Sequence, residues 1–396
     1  MQRMHRLPRV AAALAAAGLA LGACDTSTGG GEASSPAAAT QTEIGAGEGQ
    51  LSILTWPGYA EDGSHNPDLD WVTPFEEATG CQVSVTTFGT SDEAVTLMGS
   101  GQYDVVSASG DASLRLIAGG DVQPVNVDLL ENYGDIYPYL RDRQWNTVDG
   151  VHYGMPHGWG ANLLMYRTDL VDPAPASWSA VFDDAARYKG KVTAYDSPMY
   201  IADAALYLMK HRPELGITHP YALDRAQLAA AVDLLKAQRG NIGQYWSDYA
   251  IAVQAFSSGS TVLGASWQVI ANVAKSQGAD VEAILPSEGA TGWSDTWMIG
   301  AGTDHPNCAY LWLDHIASPE VNAQVAESFG EAPANPKACE LTQDPNHCQS
   351  YHAGDQAYAD QVWFWTTPVT KCLDGRNGTE CTDYSAWTQA WADIRG

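Results

Sequence analysis

Two tryptophans and an aspartate in neighbouring segments are the residue types best suited to binding a cation. Trp267 ends the apolar run TVLGASW, which predicts a buried strand that delivers the indole at its end. Trp293 and Asp295 lie two residues apart in GWSDTWMIGAG, at the mouth of another predicted strand. Indole faces attract cations by about 0.5–2 kcal/mol each, and a carboxylate fixes a charged nitrogen by a charge-assisted hydrogen bond. The alternative is that the indoles are core residues and Asp295 caps a turn.

The first 23 residues have the features of an export signal. A basic head precedes an apolar run, residues 10–21, that is too short to span a bilayer. The following LGAC resembles a bacterial lipoprotein cleavage site, which predicts removal of residues 1–23 and a lipid on Cys24. Residues 24–49 are rich in Gly, Ser, Ala and Thr and predict a flexible tether. We therefore expect an exported protein, anchored by lipid to the outer face of the cell membrane; a soluble secreted protein with an incidental cysteine is the alternative.

The charge balance narrows the class of partner. The chain has 47 acidic residues against 20 Lys and Arg, a formal net charge of −27. Nucleic acid needs Lys and Arg for its phosphates, so this balance argues against it. It also argues against holding anionic lipid headgroups by charge. A small cationic ligand is weakly favoured, because acidity also keeps exported proteins soluble.

Six cysteines remain beside Cys24, and an even set in an exported chain predicts three disulfides. We expect two local bridges and one long-range bridge: Cys339–Cys348, Cys372–Cys381 and Cys81–Cys308. The sequence alone leaves other pairings open. Zinc is the rival explanation, but no CxxC pair exists, and His347 and His352 lack a regular ligand spacing. We therefore expect neither metal nor cofactor.

Strands and short helices alternate from Leu51 onward, which predicts a parallel sheet covered on both faces. In such sheets ligands lie beyond the carboxyl ends of the strands. Four residues suited to binding fall at those ends: Trp56, Tyr59, Ser109 and Asp111.

The ordered length exceeds the size at which one core keeps growing, so the α/β chain is expected to form two lobes. We expect 50–158 plus 296–334 in the first lobe and 159–295 plus 335–396 in the second. Two chain crossings would then form a hinge, and a cleft is expected between hinged lobes.

Several segments together resemble one protein family over about Leu51 to Asn335. They are LTWPGY, FEEATGCQV, GQYDVVSAS, YGMPHGWGANLLMY, the strand into Trp267, LPSEGATGWSDTW and AESFGEAPANPKA. The chain resembles the spermidine/putrescine-binding branch of the extracellular solute-binding proteins of ABC importers. This resemblance implies a two-lobed, type II periplasmic-binding-protein-like clamshell that is not an enzyme. It further implies a monomer that hands a small cationic amine to an ABC permease in the membrane.

The resemblance also assigns roles to individual residues. The family's aromatic box is similar to Trp56, Tyr59, Trp267 and Trp293, its amine-binding aspartate to Asp295, and its serine after the third strand to Ser109. Trp159 is implied in the hinge and cleft wall.

The chain departs from the family pattern at four positions. Ser197 and Tyr200 stand where polyamine binders carry an acidic pair, Glu331 where an aromatic precedes Pro–Asn, and Asp111 where an aromatic is common. These departures put the ligand's length and number of amines in doubt. The C-terminal tail has little counterpart, although Trp363 and Trp365 are candidates for a cleft wall.

Two other classes compete with a binding protein. An exported glycoside hydrolase would also use a Trp-lined cleft and paired carboxylates, but the chain has neither a GxSxG elbow nor an HExxH helix. A structural lipoprotein is disfavoured by the α/β alternation and the lack of repeats.

Overall fold

The computed structural model describes residues 41–396. The predicted signal peptide and Cys24 therefore lie outside the described residues. The strands of this part are β1 (Gln50–Thr55), β2 (Gln82–Thr87), β3 (Val105–Ser109), β4 (Thr147–Val148), β5 (Val151–His152), β6 (Met155–Ala161), β7 (Leu163–Arg167), β8 (Val192–Tyr195), β9 (Ile242–Trp246), β10 (Leu263–Ser266), β11 (Val281–Ile284), β12 (Ala290–Ile299), β13 (Ala332–Pro333) and β14 (Val362–Phe364).

The α-helices of the same part are α1 (Val72–Thr79), α2 (Ser91–Met98), α3 (Gly110–Gly119), α4 (Ser179–Phe182), α5 (Tyr200–His211), α6 (Arg225–Arg239), α7 (Tyr249–Ser258), α8 (Gln268–Ser276), α9 (Pro306–Ile316), α10 (Pro319–Phe329), α11 (His347–Ser350), α12 (Gln356–Ala359) and α13 (Tyr384–Arg395). Short 3-10 helices lie between them. None of the helices within residues 41–396 has both the length and the apolar character needed to cross a membrane.

Helix α6 illustrates how local sequence sets the bounds of an element. The Asp224 carboxylate accepts the amides of Ala226 and Gln227, and the Gln227 side chain accepts the amide of Asp224. An Asp followed three residues later by Gln is the sequence pattern of such a reciprocal cap, which is worth about 0.5–2 kcal/mol. Leu228 and Leu235 are buried on the inner face, as the helical spacing requires.

The first sheet has the order β13-β6-β12-β3-β1-β2, with β14 added to β12. Strands β1, β2 and β3 are parallel, so their carboxyl ends meet at one edge, while β12 runs antiparallel to both β3 and β6. One face of this sheet packs on a core that contains Phe75, Trp297 and Trp312. A smaller core with Leu116 and Met298 covers part of the sheet as well. Both faces are therefore covered, as the sequence predicts.

The second sheet has the order β11-β7-β10-β8-β9. Strands β8, β9 and β10 are parallel, and β7 is antiparallel to its two neighbours. Its main core contains Trp178, Tyr221 and Trp387. A second cluster packs Trp246 and Phe256. The second sheet thus has its own core, as expected for a second lobe.

The chain passes between the two sheets at two places close to the boundaries that the sequence analysis expects. β6 and β12 belong to the first sheet over their full length, so the chain crosses at Asn162 and at 285–289. The sequence analysis expects these boundaries at 158/159 and 295/296. Whether the lobes move as separate bodies stays a prediction.

The prediction that the tail 335–396 lies wholly in the second lobe is wrong for its first half. β14 pairs in parallel with the start of β12 in the first sheet. Only after it does the chain cross again, and α13 then packs Trp387 and Trp391 into the second core. A three-residue strand in an irregular region has no periodicity from which its sheet could be predicted.

The end of the predicted tether is also better held than expected. The carboxylate of Glu48 accepts the amides of Asn307 and Cys308, at the start of α9. These contacts satisfy otherwise unpaired amides of the first helical turn. Residues 41–49 are therefore fixed to the first lobe, because the Glu48 carboxylate in this Gly-rich segment caps the N-terminus of α9.

All three disulfides have the predicted pairing. Cys81 bonds to Cys308, Cys339 to Cys348 and Cys372 to Cys381, with sequence separations of 227, 9 and 9 residues. These six cysteines are therefore all paired with one another.

We predict that the long-range disulfide contributes more to stability than either local one. Because the entropy of a cross-linked unfolded chain falls with loop length, replacing Cys81 and Cys308 by Ala should cost about 5 kcal/mol, against about 2.5 kcal/mol for Cys339 and Cys348. Urea unfolding of the two double variants measures this difference. Equal losses would contradict the prediction.

Candidate functional site

A cavity of about 380 Å³ lies where the carboxyl ends of the parallel strands of both sheets face each other. Ligands are expected at such strand ends. The lining side chains are mostly aromatic, and they are Trp56, Pro57, Phe88, Gly89, Ser109, Tyr195, Ser247, Asp248, Tyr249, Trp267, Trp293, Asp295, Phe329 and Trp365.

The aromatic rings form a continuous wall between the sheets. Trp365 stacks on Tyr195 at 5.5 Å between centroids, and Tyr195 lies 5.6 Å from Trp267. Trp267 contacts Trp293 edge-on at 5.8 Å, and Trp293 contacts Phe329 at 6.0 Å. Since neighbouring rings fix one another, the wall presents preformed π faces to a ligand.

A separate aromatic pair faces the ligand space from the first two strands. Trp56 follows β1 and Phe88 follows β2, and their rings meet edge-on at 4.5 Å. The cavity therefore has aromatic side chains from both lobes.

Asp295 is the buried charge of the cavity. The register of β12 with β3 sets it opposite Ser109, whose hydroxyl donates to Asp295 Oδ1 at 2.6 Å. The Tyr59 hydroxyl lies 2.8 Å from Oδ2. The side chain is only 3% exposed, and this burial raises its pKa to about 6 although both hydrogen bonds lower it. A cation placed against this carboxylate would relieve that cost.

Tyr59, Glu331 and His157 lie directly behind Asp295. The Tyr59 hydroxyl is also 2.9 Å from Glu331 Oε2, and Glu331 Oε1 is 3.5 Å from His157 Nε2. All three side chains are fully buried. Burial raises the pKa of Glu331 well above its usual value and lowers the pKa of His157 to about 3.

Two glycines of β6 make room for this arrangement. A Cβ on Gly158 would come within 2.3 Å of the Glu331 carboxyl group, and one on Gly160 within 2.6 Å of the Trp293 ring. The two glycines of the GWG segment therefore leave the space that the Glu331 and Trp293 side chains occupy.

The wall is connected to the first crossing by hydrogen bonds. Trp267 Nε1 donates to Asn162 Oδ1 at 2.8 Å, and Asn162 Nδ2 donates to Thr291 Oγ1 at 2.7 Å. The Thr291 hydroxyl donates to Asp203 Oδ1 at 2.9 Å. The cavity-lining indole of Trp267 is thus hydrogen-bonded to Asn162, the residue at which the chain passes between the sheets.

Five of the residues predicted to bind ligand line the cavity, namely Trp56, Ser109, Trp267, Trp293 and Asp295. Tyr59 and Glu331 do not line it, and they contact the Asp295 cluster from behind. The structure therefore places these two residues next to Asp295 and outside the cavity lining.

Asp111 and Trp159 are buried outside the cavity. Asp111 lies in the first turn of α3, where Ser91 Oγ donates to it at 2.9 Å, and burial raises its pKa to about 6. Trp159 packs against Tyr139 and Phe364 in the core of the first lobe. The strand alternation that points Gly158 and Gly160 towards the site points Trp159 away from it.

Ser197 and Tyr200 are likewise structural. Ser197 Oγ accepts the amide of Met199 at the start of α5. The Tyr200 hydroxyl accepts Gln238 Nε2 at 3.0 Å within the second core. The positions that depart from the family pattern therefore lie away from the lining.

Several lining residues were not predicted from the sequence: Phe88, Tyr195, Ser247, Asp248, Tyr249 and Phe329. Phe88 follows β2 and Tyr195 ends β8, so the strand-end rule could have found them. Asp248 follows β9, a strand that we did not predict, and Phe329 ends a helix distant in sequence. Of the two candidates in the tail, Trp365 lines the cavity and Trp363 does not.

Within residues 41–396, no group of three or more His, Cys, Asp or Glu side chains is arranged to hold a metal ion.

We predict that Asp295 destabilises the ligand-free protein at neutral pH. Its raised pKa means that wild-type stability, relative to Asp295→Asn, is highest at low pH and falls as pH rises from 3.8 to about 6. The total fall should be about 3 kcal/mol. Urea unfolding of both proteins from pH 3 to 8 measures it, and a difference independent of pH would contradict the prediction.

Comparisons with known proteins agree with this architecture. The family model described as bacterial extracellular solute-binding protein matches residues 70–349. The spermidine/putrescine-binding periplasmic protein of Escherichia coli K12 is 24% identical over 295 residues, covering 74% of this chain and 79% of that one. A putrescine/cadaverine-binding protein of Pseudomonas aeruginosa is 25% identical over 311 residues, covering 73% and 80%.

A solved structure confirms the predicted fold. It is described as a putative spermidine/putrescine ABC transporter from Listeria monocytogenes, and it matches with a TM-score of 0.71 at 20% identity. The match covers 88% of this chain and 99% of that one. At this identity the likeness shows the fold, a two-lobed periplasmic-binding-protein-like α/β architecture. Because the family model spans most of the chain, this protein belongs to the bacterial extracellular solute-binding proteins.

Proposed function

We propose that this protein captures a putrescine- or spermidine-like amine outside the cell and delivers it to an ABC permease. The observation that carries the proposal is Asp295, a nearly buried carboxylate in an aromatic cavity between two lobes. The printed functions of the E. coli and P. aeruginosa relatives support the polyamine class.

The lining favours a cation over a neutral or anionic ligand. Two of its side chains are carboxylates, Asp248 and Asp295, and none is Lys or Arg. An ammonium on Asp295 would gain a charge-assisted hydrogen bond. The surrounding rings of Trp267 and Trp293 would add cation–π attraction.

The two carboxylates suggest a ligand with two positive charges. Asp295 belongs to the first sheet, and Asp248 follows β9 of the second sheet, where its side chain is exposed. A diamine that spans the cavity would place one ammonium on each lobe. Asp248 thereby supplies a second charge that the departures at Ser197 and Tyr200 had put in doubt.

Capture needs no covalent step. Ligand contacts from both sheets exist only when the lobes are together, so binding shifts the population towards a closed form. We propose that a closed monomer docks on the permease. A lipid on Cys24 would keep it at the outer face of the membrane and raise its effective concentration there.

We predict that Asp295→Asn lowers the affinity for putrescine by about 2–4 kcal/mol, as expected for unpairing a buried charge. Wild-type affinity should itself fall as pH drops through about 6, because the protonated carboxyl loses its attraction for the ammonium. Titration calorimetry at pH 7.5 and 5 measures both effects.

Asp104→Asn is the matched control for this prediction. Asp104 is a buried carboxylate that precedes β3, and it accepts the amide of Ser52 away from the cavity. This variant should bind putrescine as the wild type does. A loss below threefold for Asp295→Asn would remove Asp295 from the proposed role.

We predict that Asp248→Asn weakens putrescine binding by about 0.5–1 kcal/mol, the value of an exposed ion pair. Butylamine, which has one ammonium, should bind equally to variant and wild type. Asn is a good helix cap, so it can replace Asp248 as acceptor of the Ala250 amide. Equal changes in affinity for putrescine and butylamine would show that Asp248 does not bind a second ammonium group.

A further inference from the structure

The hydroxyl of Tyr59 lies between two carboxyl groups but carries only one proton. Its oxygen is 2.8 Å from Asp295 Oδ2 and 2.9 Å from Glu331 Oε2. Burial beside both acids raises the pKa of Tyr59 well above its usual value, so the phenol is not ionised. It can donate to one carboxyl group only. The other short contact therefore requires a proton on a carboxyl oxygen, because two bare oxygens at this distance would repel.

The surroundings of the two acids decide which one holds that proton. Asp295 accepts a second hydrogen bond, from Ser109, and it lines the cavity. The Glu331 carboxyl group has no other hydrogen bond: Oε1 is buried and unpaired among the described residues. An ionised carboxylate with no donor of its own would bear the full cost of burial. The charge is therefore placed on Asp295 and the proton on Glu331.

The other groups around Glu331 do not supply a compensating positive charge. His157 Nε2 is 3.5 Å from Oε1, too far for a hydrogen bond, and burial keeps this ring neutral by lowering its pKa. His347 donates to the Glu331 backbone carbonyl instead, and burial lowers its pKa too. Tyr351, the remaining titratable neighbour, has a pKa raised by burial.

We propose that Glu331 is a neutral carboxylic acid that donates a hydrogen bond to the Tyr59 oxygen. The Tyr59 hydroxyl then donates its own hydrogen bond to Asp295, and the floor of the cavity carries a single negative charge. Glu331 is thus a positioning residue that sets the charge of the site. The floor then matches one ammonium group, not two. Only this last consequence rests on the proposed function, since the protonation itself concerns the ligand-free protein.

The direct test is carbon-13 NMR of the ligand-free wild type labelled only at glutamate carboxyl carbons. At pH 7.5 one glutamate resonance should have the shift of a protonated acid, and it should be missing from Glu331→Gln. Glutamate labelling excludes the buried aspartates, and the pKa values of Glu48 and Glu288 are lowered. A spectrum in which every glutamate is ionised would overturn the proposal.

The pH dependence of stability gives a second readout. A raised native pKa makes stability fall as pH rises, so wild type should lose about tenfold per pH unit in its folding equilibrium relative to Glu331→Gln. The window is pH 6.5 to 8, above the pKa of about 6 of Asp295. A constant ratio across this window would show that Glu331 is already ionised.

Putrescine binding tests the consequence for the site. Gln can donate to the phenol as a protonated Glu does, so Glu331→Gln should keep its affinity within about twofold. Loss of tenfold or more would mean that Glu331 contributes a second negative charge. If wild type binds no amine, the proposed function fails, while the NMR result still decides the protonation.

Discussion

A carboxylate held away from water, between two hydroxyl groups and a wall of aromatic rings, is the constraint around which this protein is built. Burying Asp295 costs free energy that Ser109 and Tyr59 only partly offset. This desolvation free energy favours ligand binding, because a cation that neutralises the carboxylate removes the unfavourable term. The same carboxylate would be a poor choice in a core with no ligand to receive.

The elements around Asp295 link binding to the geometry of the two lobes. β12 carries both Trp293 and Asp295 and begins just after one crossing, while Trp267 is hydrogen-bonded to Asn162 at the other. Side chains that would touch a ligand are therefore joined by a hydrogen bond, or by a few residues of one strand, to the segments that must bend if the lobes close. Packed rings and hydrogen bonds therefore connect the cavity lining to the segments at which the chain passes between the sheets.

Sequence reasoning recovered the parts of the fold that local chemistry determines, and it failed where distant segments meet. The α6 capping box, the prolines that open α9 and α10, and the strand ends at Trp56, Ser109 and Trp267 follow from nearby residues. The sequence analysis assigns Trp159 and Tyr200 to the site because their segments align with the family pattern. Which face of its element a side chain occupies depends, however, on the tertiary contacts of that element. Phe329 and Trp365 reach the cavity from elements far along the chain. Their roles follow from tertiary packing that no local pattern encodes.

A crystal structure of the protein with putrescine tests most directly whether one ammonium group binds Asp295 within the aromatic wall. We expect an ammonium nitrogen within hydrogen-bonding distance of Asp295, with the carbon chain against Trp267 and Trp293 and the ligand chemically unchanged. Putrescine bound elsewhere, or a carboxylate left without a cation in the occupied cavity, would contradict it.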